Sequence, residues 1–196
     1  MASLSEIRSQ KSAIRAEAQR LRAAQPDKNA LSRQICDSIA ASAEFRAARV
    51  VLLYLTHRSE VRMPALFDEA FRQDKTVVVP YCVGDEIGLF RIEHMDEITA
   101  GAYSILEPRP GLRKLDERCV APEELDLVVV PGMAYDRTGA RIGRGKGSYD
   151  RLLAQLRPNT FLVAPAFECQ VFDHVPTLEH DAPVDRVVTE TNIYPQ

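Results

Sequence analysis

The chain has 196 residues, of which 45% are hydrophobic and 27% charged, and its net charge at pH 7 is −3. This length favours a single domain over residues 1–196, and the composition excludes a disordered or fibrous chain. The slightly acidic balance disfavours a protein whose whole surface binds nucleic acid, so any anion site must come from a local cluster of basic residues.

The four cysteines lie far apart in the sequence and include no CxxC pair, and the first residues contain no apolar signal core. This spacing indicates reduced thiols rather than a disulfide framework. No run approaches the ~20 consecutive apolar residues that a membrane span requires, and acids near the N-terminus disfavour a transit peptide. We therefore expect a cytoplasmic protein with no membrane segment.

Two helices are predicted ahead of the first strand, over residues 5–25 and 27–43. Pro26 ends the first helix, and the second places leucine and isoleucine side chains on one face at every fourth residue. A third helix is predicted over residues 63–73, where three apolar side chains share a face. The N-terminal part of the chain is therefore expected to be largely helical.

Five apolar runs are typical of strands that are buried in a sheet. They are VVLLYL, TVVVPYC, DLVVVPG, FLVAPAF and RVVTET, which begin at Val50, Thr76, Asp126, Phe161 and Arg186. The first three are continuous rather than alternating, and this indicates strands of a parallel sheet that are buried on both faces. The helix predicted over residues 63–73 lies between the first two runs and completes a βαβ unit.

The segment between Gly84 and Pro122 is less regular and is predicted to form a peripheral hairpin and loop. LFRIE at residues 89–93 fits a strand, whereas EPRPG at residues 107–111 is a turn-rich connector. Farther on, a helix is predicted from a stripe of four apolar residues, Tyr149, Leu152, Leu153 and Leu156. The predicted fold is α/β, an open, mostly parallel sheet with helices on both faces in a three-layer α/β/α, Rossmann-like arrangement.

The stretch RIGRGKGSYDR, residues 141–151, has glycines at three alternate positions with basic side chains around them. It is not a P-loop, because Gly147 follows Lys146 where that motif needs Ser or Thr. It also departs from the dinucleotide motif GxGxxG, because Ser148 stands where the last glycine would fall. Neither of the two standard phosphate-binding motifs therefore describes this loop.

The same stretch ends a connection of 16 residues, from Gly132 to Gly147, which is longer than the usual ~4 to 6. Its glycines permit positive φ and a close approach of backbone N–H groups to an anion, and the helix predicted from Ser148 directs the positive end of its dipole there. The basic side chains that add charge are Arg141, Arg144 and Lys146. The pattern predicts a polyphosphate site, and the alternative is a flexible, solvated surface loop.

Asp150 lies in the first turn of that predicted helix. It either complements the helix dipole or holds Mg²⁺ against phosphate groups, and the pattern alone favours the cap.

Two further clusters of charge have ordinary explanations. The first helix carries a basic face composed of Arg8, Lys11, Arg15 and Arg22, and the usual interpretation of such a face is a solvated stripe. Acids near the C-terminus alternate with His174 and His180. The two histidines lack the spacing of HExxH or of a zinc finger, so a zinc site is disfavoured.

Residues 131–151, PGMAYDRTGARIGRGKGSYDR, resemble a motif of the 5-formyltetrahydrofolate cyclo-ligases, also called 5,10-methenyltetrahydrofolate synthetases. The match includes a strand-end PG, an aromatic–Asp pair, G-x-R and a GxGxG loop that leads to Tyr-Asp. Three further segments agree in order and spacing: KSAIR from Lys11, YLTHRSEV from Tyr54 and LEHDAPVDRVVTE from Leu178. The resemblance covers nearly the whole chain, although Ser148 stands where many members carry an additional aromatic residue.

The resemblance implies an enzyme that converts 5-formyltetrahydrofolate to 5,10-methenyltetrahydrofolate with ATP and Mg²⁺, releasing ADP and phosphate. In the family, the formyl oxygen takes the γ-phosphoryl group, the neighbouring folate nitrogen attacks the activated carbon, and phosphate leaves. Such chemistry requires positioning and charge neutralisation rather than a protein nucleophile. The implied partners are ATP and a reduced folate, with Mg²⁺ as cofactor, no nucleic acid, no membrane and a monomeric state.

The resemblance also assigns site residues by position. It implies ATP binding by Lys11, Arg15, Arg141, Ile142, Gly143, Arg144, Gly145, Lys146, Gly147, Ser148 and Tyr149. It implies folate binding by Leu55, Glu60, Arg144, Gly145, Lys146, Gly147 and Ser148. Arg144 and Lys146 are the implied catalytic residues, and Asp150 and Asp181 are the implied Mg²⁺ ligands.

Two other classes of function remain open at the level of the sequence. An RNA-binding or regulatory module could use the arginine–glycine loop as a backbone clamp, although the chain lacks an aromatic-rich basic platform. A sugar-phosphate isomerase or transferase could use the loop for one phosphate and would not need ATP.

Overall fold

The computed structural model of the protein describes residues 3–84, 86–101, 105–178 and 181–195. Its helices are α1 (Leu4–Ala24), α2 (Lys28–Ala40), α3 (Ala43–Ala47), α4 (Pro64–Arg72) and α5 (Ser148–Leu153). Its strands are β1 (Val50–Leu52), β2 (Thr76–Val83), β3 (Glu86–Ile92), β4 (Ile98–Ala100), β5 (Leu106–Pro108), β6 (Leu127–Val129), β7 (Ala134–Asp136), β8 (Arg141–Ile142), β9 (Phe161–Pro165), β10 (Val171–Phe172), β11 (Arg186–Val188) and β12 (Ile193–Tyr194). Short 3-10 turns occupy Met95–Glu97, Leu112–Lys114, Asp116–Arg118, Pro122–Glu124 and Glu168–Gln170.

The main sheet has seven strands in the order β12–β11–β9–β6–β1–β2–β3. The central strands from β11 to β2 run parallel, and β12 and β3 pair antiparallel at the two edges. The predicted open, mostly parallel sheet is therefore confirmed. Each of its five parallel strands begins within one of the five apolar runs.

The central strands supply side chains to two cores, because successive residues of a strand point to opposite faces of the sheet. In β1, Val51 packs on the face covered by α2, α3 and α4, whereas Leu52 packs on the face covered by α5. Both side chains are fully buried. Burial on both faces explains the continuous apolar runs, and helices on both faces confirm the three-layer prediction.

Helix α1 packs against a second, smaller sheet rather than the main one. In that sheet β7 pairs in parallel with β10 and antiparallel with β8, and Ala18 of α1 is buried there with Ala134 and Ile142. The helix begins with a capping box, in which Ser3 Oγ accepts a hydrogen bond from the Glu6 N–H at 3.2 Å. Helix α1 is therefore placed beside the glycine-rich stretch that follows β8.

Several predicted element boundaries were wrong. Strand β1 ends at Leu52, and the next three residues stay buried after the chain leaves the sheet. The second predicted helix ends at Ala40, before its predicted end, and a separate helix begins at Ala43, where Ser42 Oγ accepts a hydrogen bond from the Phe45 N–H at 3.1 Å. The helix that begins at Ser148 ends at Leu153, so Leu156 packs into the core from outside it.

The irregular middle segment forms two hairpins. LFRIE lies largely within β3, which pairs with β2, so the predicted strand is confirmed. EPRPG is not wholly a connector, because its first two residues belong to β5. Pro108 is tolerated there because it ends a strand that has a single partner, β4, among the described residues.

The four cysteines are free thiols, as the sequence predicted. Within the described part of the chain, no helix is both long enough and apolar enough to span a membrane.

Candidate active site

The candidate site lies at the carboxyl ends of β1 and β6, which are neighbours in the main sheet. Strand β1 leads into residues 53–63, here called the β1 loop, which carries Glu60. Strand β6 leads through β7 and β8 to residues 143–147, here called the glycine loop. Open α/β sheets bind their ligands at this edge, outside the carboxyl ends of the strands.

Strands β7 and β8 form a hairpin within the long connection from Gly132 to Gly147, and the sequence analysis did not predict these two strands. Buried Asp136 closes the hairpin turn, since its Oδ1 accepts hydrogen bonds from the N–H groups of Thr138 at 2.9 Å and Ala140 at 3.2 Å. Its Oδ2 accepts from the Val175 N–H at 3.0 Å. The hairpin is thus a fixed support that holds the glycine loop at the edge of the sheet.

The glycine loop lies directly against two guanidinium groups. Gly145 and Gly147 have φ values of +95° and +67°, in the left-handed region that favours glycine. A Cβ at Gly143 would lie 3.4 Å from Arg141 Nη1, and one at Gly145 would lie 3.6 Å from Arg15 Nη2. The alternating glycines therefore let the backbone turn and let charged side chains approach it.

Arg141 and Asp150 form a largely buried ion pair. Arg141 is 3% exposed, and its Nη2 donates a hydrogen bond to Asp150 Oδ1 at 2.6 Å. Its Nε is also buried and has no hydrogen-bond partner among the described residues. An unpaired buried donor costs about 1–3 kcal/mol, so this atom indicates that a further acceptor belongs beside Arg141.

Arg144 and Glu60 connect the glycine loop to the β1 loop. Arg144 Nη2 donates a hydrogen bond to Glu60 Oε1 at 2.6 Å, and Glu60 Oε2 accepts from the His57 N–H at 3.0 Å. The Glu60 side chain is nearly buried, whereas half of the Arg144 side chain is exposed. Burial and the neighbouring Arg144 lower the pKa of His57, and Glu60 partly opposes this shift. The lowered pKa favours the neutral form of His57.

The basic face of α1 packs against the site, so its interpretation as a solvated stripe was wrong. Lys11 is buried and forms an ion pair with Asp181, whose Oδ2 also accepts from the Leu178 N–H at 2.5 Å. One turn along the helix, Arg15 Nε donates to the Gly143 carbonyl at 2.9 Å. Only Arg8 of the four basic residues is fully exposed. Helix α1 thus delivers two cations to the edge of the glycine loop.

Three tyrosines, Tyr54, Tyr135 and Tyr149, are close enough to Glu60 to be affected by its charge. Tyr54 and Tyr135 donate their hydroxyl hydrogens to the carbonyls of Val61 at 2.9 Å and Val130 at 3.3 Å. The Tyr149 hydroxyl is also buried, yet it has no hydrogen-bond partner among the described residues. Burial, together with the charge of Glu60, raises its pKa. Tyr149 therefore keeps its proton and presents an unused hydrogen-bond donor inside the site.

The remaining predicted residues differ in their surroundings. Lys146 is exposed, and within the described chain its ammonium group makes no hydrogen bond or ion pair. Ser148 contacts the Arg151 guanidinium at 3.5 Å. Leu55 and Ile142 are buried in apolar clusters, so Ile142 can offer a ligand only its backbone. Among the described residues, the site therefore combines Lys146, whose ammonium group has no partner, and Arg15, which binds a backbone carbonyl, with three cations that are paired to acids.

The predicted Mg²⁺ ligands each face a cation. Asp150 binds Arg141 and Asp181 binds Lys11, and the resemblance assigns both cations to ATP phosphates. A carboxylate set of this kind suits Mg²⁺, which usually takes one or two protein carboxylates together with phosphate oxygens. The buried Nε of Arg141, which has no hydrogen-bond partner among the described residues, could donate to a phosphate oxygen. The residues therefore fit a metal that arrives with a polyphosphate.

No other metal cluster appears among the described residues, which include no group of three or more potential His, Cys, Asp or Glu ligands. Of the C-terminal acids and histidines, Glu179 and His180 lie outside the described residues. Asp185 has a structural role, because its Oδ2 accepts from the Leu162 N–H at 2.7 Å.

Sequence reasoning did not identify Arg22, His57 or Tyr54 as part of this region. Arg22 had one usable signal, its place on the same helical face as Lys11 and Arg15, but that face was assigned to solvent. His57 and Tyr54 lie within the quoted YLTHRSEV segment, where only Leu55 and Glu60 were given roles. Their contacts depend on how the β1 loop folds back on itself.

Comparisons with known proteins identify the family to which the chain belongs. The model of the 5-formyltetrahydrofolate cyclo-ligase family matches residues 5–190. A 5-formyltetrahydrofolate cyclo-ligase from Escherichia coli is 32% identical over 152 residues, which cover 75% of this chain and 81% of the relative. One from Mus musculus is 29% identical, with coverage of 94% and 95%. The solution structure of 5,10-methenyltetrahydrofolate synthetase from Aquifex aeolicus superposes with a TM-score of 0.81 at 34% identity, with coverage of 94% and 91%. The chain therefore belongs to the 5-formyltetrahydrofolate cyclo-ligase family of ligases.

Proposed function

We propose that the protein cyclises 5-formyltetrahydrofolate to 5,10-methenyltetrahydrofolate in a reaction that consumes ATP, needs Mg²⁺ and releases ADP and phosphate. One observation carries the proposal beyond family membership. Three ion pairs, Lys11–Asp181, Arg141–Asp150 and Arg144–Glu60, lie around the glycine loop. In each pair the cation is assigned to ATP, and the acid is assigned to Mg²⁺ or to folate. Binding of ATP, Mg²⁺ and folate would therefore give the residues of all three pairs new partners.

The nucleotide side of the site is formed by α1 and the hairpin. Lys11 and Arg15 share one face of α1, and Arg141 is the first residue of β8, the second strand of the hairpin. Positive charge from these two separate elements neutralises a polyphosphate without one flexible loop having to wrap around it. The N–H groups of Gly143, Gly145 and Gly147 add donors where no Cβ blocks their approach.

The folate side of the site is formed by the β1 loop. Glu60 offers carboxylate oxygens to the pterin N–H groups, and Leu55 supplies apolar surface beside them. Arg144 and Lys146 lie in the glycine loop between the two substrates. There they stabilise the negative charge of the phosphoryl group while it moves from ATP to the formyl oxygen, and this is the main contribution a protein makes to such a transfer.

Asp150 and Asp181 would hold the Mg²⁺ ion that accompanies ATP. When bound, the ion neutralises phosphate charge, as divalent metals do in phosphoryl transfer. The two carboxylates would exchange their present partners, Arg141 and Lys11, for the metal, and these cations would turn to the phosphates. We also propose that the protein acts as a single-domain monomer in the cytoplasm, with ATP and a reduced folate as its partners.

A direct assay tests the proposal. Purified protein is mixed with 5-formyltetrahydrofolate and Mg-ATP, and the near-UV absorbance of the methenyl product is followed. We expect product only when the folate, ATP and Mg²⁺ are all present, with one ADP formed per product. The absence of product at saturating substrate concentrations would refute the assignment. No observation specifically favours an RNA-binding module or a sugar-phosphate enzyme.

A further inference from the structure

Arg22 is the member of the basic face of α1 that the proposed function leaves without a role. It lies near the carboxyl end of the helix, 4% exposed. Its guanidinium donates from Nε to Ser59 Oγ at 3.1 Å, from Nη1 to the Gly132 carbonyl at 3.2 Å, and from Nη2 toward Met133 Sδ at 3.5 Å. Arg22 therefore contacts two other chain segments as well as its own helix.

The buried charge of Arg22 is held without an ion-pair partner among the described residues. Burying a charge is costly unless it is paired or fully hydrogen-bonded. An apolar residue would fill the same space without this cost. The arrangement is explained if the planar fork of the guanidinium is needed to fix several acceptors in one geometry.

The acceptors of Arg22 belong to the β1 loop and to residues 132–133, which lead from β6 into the hairpin that carries the glycine loop. Ser59 directly precedes Glu60, the acid assigned to the pterin. Met133 receives support from two sides, because its N–H donates to the Ile142 carbonyl at 2.7 Å and its carbonyl accepts from Gln170 Nε2 at 2.8 Å. Ile142 in turn directly precedes the glycine loop. One side chain thus connects the folate side, the nucleotide side and the helix that carries Lys11.

We propose that Arg22 is a positioning residue, which sets Glu60 against the glycine loop by binding Ser59 and the Gly132–Met133 turn at once. The inference rests on the proposed function, because it takes Glu60 to be the folate contact. Arg22 touches neither substrate. Small displacements of a positioned group lower catalysis strongly, and a shift of about 1 Å can cost about 100-fold.

The test compares the kinetics of Arg22→Lys, Ser59→Ala, Ser59→Thr and the double variant Arg22→Lys/Ser59→Ala with those of wild type. Lysine keeps the charge but cannot reach both loops with a planar fork. We expect Ser59→Ala to raise the KM for folate about fivefold or more while the KM for ATP stays unchanged, in line with the loss of one hydrogen bond from a charged donor. Ser59→Thr keeps a hydroxyl and should restore the wild-type KM.

Arg22→Lys should raise the KM for folate and also lower kcat about tenfold or more, because it releases both loops. The double variant should be no worse than Arg22→Lys alone, since the two residues act through one contact. Arg20→Lys is the matched control, because Arg20 lies on the same helix, is exposed and pairs only with Glu17 in the described chain. It should leave both KM values and kcat unchanged.

Several results would overturn the proposal. One is an unchanged KM for folate in Ser59→Ala, and another is an Arg22→Lys protein that loses thermal stability but keeps both KM values and kcat. If Arg22→Lys does not fold, the comparison of Ser59→Ala with Ser59→Thr still decides the question. A wild type that makes no methenyl product would refute the proposed function itself, whereas an active wild type with these unchanged kinetics would refute only the role of Arg22.

Discussion

Arg144 in the glycine loop donates a hydrogen bond to Glu60 in the β1 loop at 2.6 Å, although 84 positions separate them in the sequence. The pair joins the residue proposed to stabilise the transferred phosphoryl group to the residue proposed to hold the pterin. Folate that binds Glu60 must displace Arg144, and Arg144 is then available to the nucleotide. The two substrates are therefore expected to favour each other's binding.

Glu60→Gln should change the two substrate affinities in opposite directions. The KM for folate should rise about 10- to 100-fold, because hydrogen bonds to a charged group contribute about 1.5–3 kcal/mol. Nucleotide should bind about two- to fivefold more tightly, because Arg144 no longer has to break its ion pair with Glu60 before it binds phosphate. Such a half-exposed pair contributes up to about 1 kcal/mol. Initial rates and calorimetric titration with nucleotide measure the two effects.

The control for this variant is Glu69→Gln, which breaks an ion pair of similar length with Arg72 on α4, outside the site. In Glu69→Gln, the KM for folate and the affinity for nucleotide should stay at their wild-type values. Weaker nucleotide binding by Glu60→Gln would contradict the proposed competition between Glu60 and ATP for Arg144.

Lys146→Ala should lower kcat about 100- to 1,000-fold, as the loss of one group that stabilises transition-state charge commonly does. The fold should be unaffected, because Lys146 is exposed and its ammonium group makes no bond within the described chain. Lys114→Ala removes another exposed lysine, far along the chain from the site, and should have no effect. The methenyl absorbance assay and circular dichroism provide the comparison. Nearly full activity in Lys146→Ala would show that the glycine loop is not where phosphoryl transfer occurs.

Asp150→Asn should raise the Mg²⁺ concentration needed for half-maximal activity several-fold, because an amide oxygen is a weaker ligand for this ion than a carboxylate. The variant also leaves the buried guanidinium of Arg141 without its anion, so the melting temperature without ligands should fall. Mg-ATP should recover part of that loss by supplying phosphate oxygens. An unchanged metal titration would leave Asp150 as the ion-pair partner of Arg141 alone.

Tyr149→Phe should separate activity from stability. The buried Tyr149 hydroxyl has no partner among the described residues, so its removal should leave the free energy of unfolding unchanged or raise it by up to about 1 kcal/mol. Turnover should fall if substrate uses this donor. Tyr54→Phe is the contrasting variant, because its hydroxyl binds the Val61 carbonyl and its loss should cost about 1 kcal/mol. Full activity in Tyr149→Phe would show that the Tyr149 hydroxyl has no role in the reaction.

Glu97→Gln tests the pH dependence of stability away from the site. Arg118 donates to both carboxylate oxygens of Glu97 and lowers the pKa of Glu97 below its ordinary value of 4.5. Because the folded-state pKa is depressed, the pair stabilises the fold above about pH 4.5 and loses this contribution as the pH falls through the lower, folded-state value.

The free energy of unfolding of Glu97→Gln should therefore lie about 1–3 kcal/mol below wild type at pH 7, and the gap should narrow in acid. Glu17→Gln breaks an exposed pair with Arg20 and should leave the free energy of unfolding nearly unchanged, because exposed ion pairs contribute little. Denaturant titrations from pH 7 to pH 3 give both comparisons. A gap that stays constant across this range would show that the Glu97 charge does not contribute.

The α/β architecture was predictable because each central strand is buried on both faces. The continuous apolar runs VVLLYL and DLVVVPG suit burial on both faces. They form β1 and β6, which are neighbours in the sheet. Element boundaries were less predictable, because they depend on contacts between distant segments. The hairpin of β7 and β8 was missed for this reason, since Asp136 stabilises it partly through Val175, far along the chain.

For the candidate site, the sequence by itself predicted a polyphosphate site at the alternating glycines and basic residues of 141–151, and its resemblance to a known family was confirmed. It could not decide which charges face solvent and which are buried. Lys11 and Arg22 share a helical face with Arg8, yet Lys11 is buried against Asp181 and Arg22 against Ser59 and Gly132, whereas Arg8 is exposed. The partners of Arg141, Arg144 and Lys11 were likewise set only by the tertiary structure. Ion pairs between segments far apart in sequence depend on how strands and loops converge in space, and local pattern does not encode that convergence.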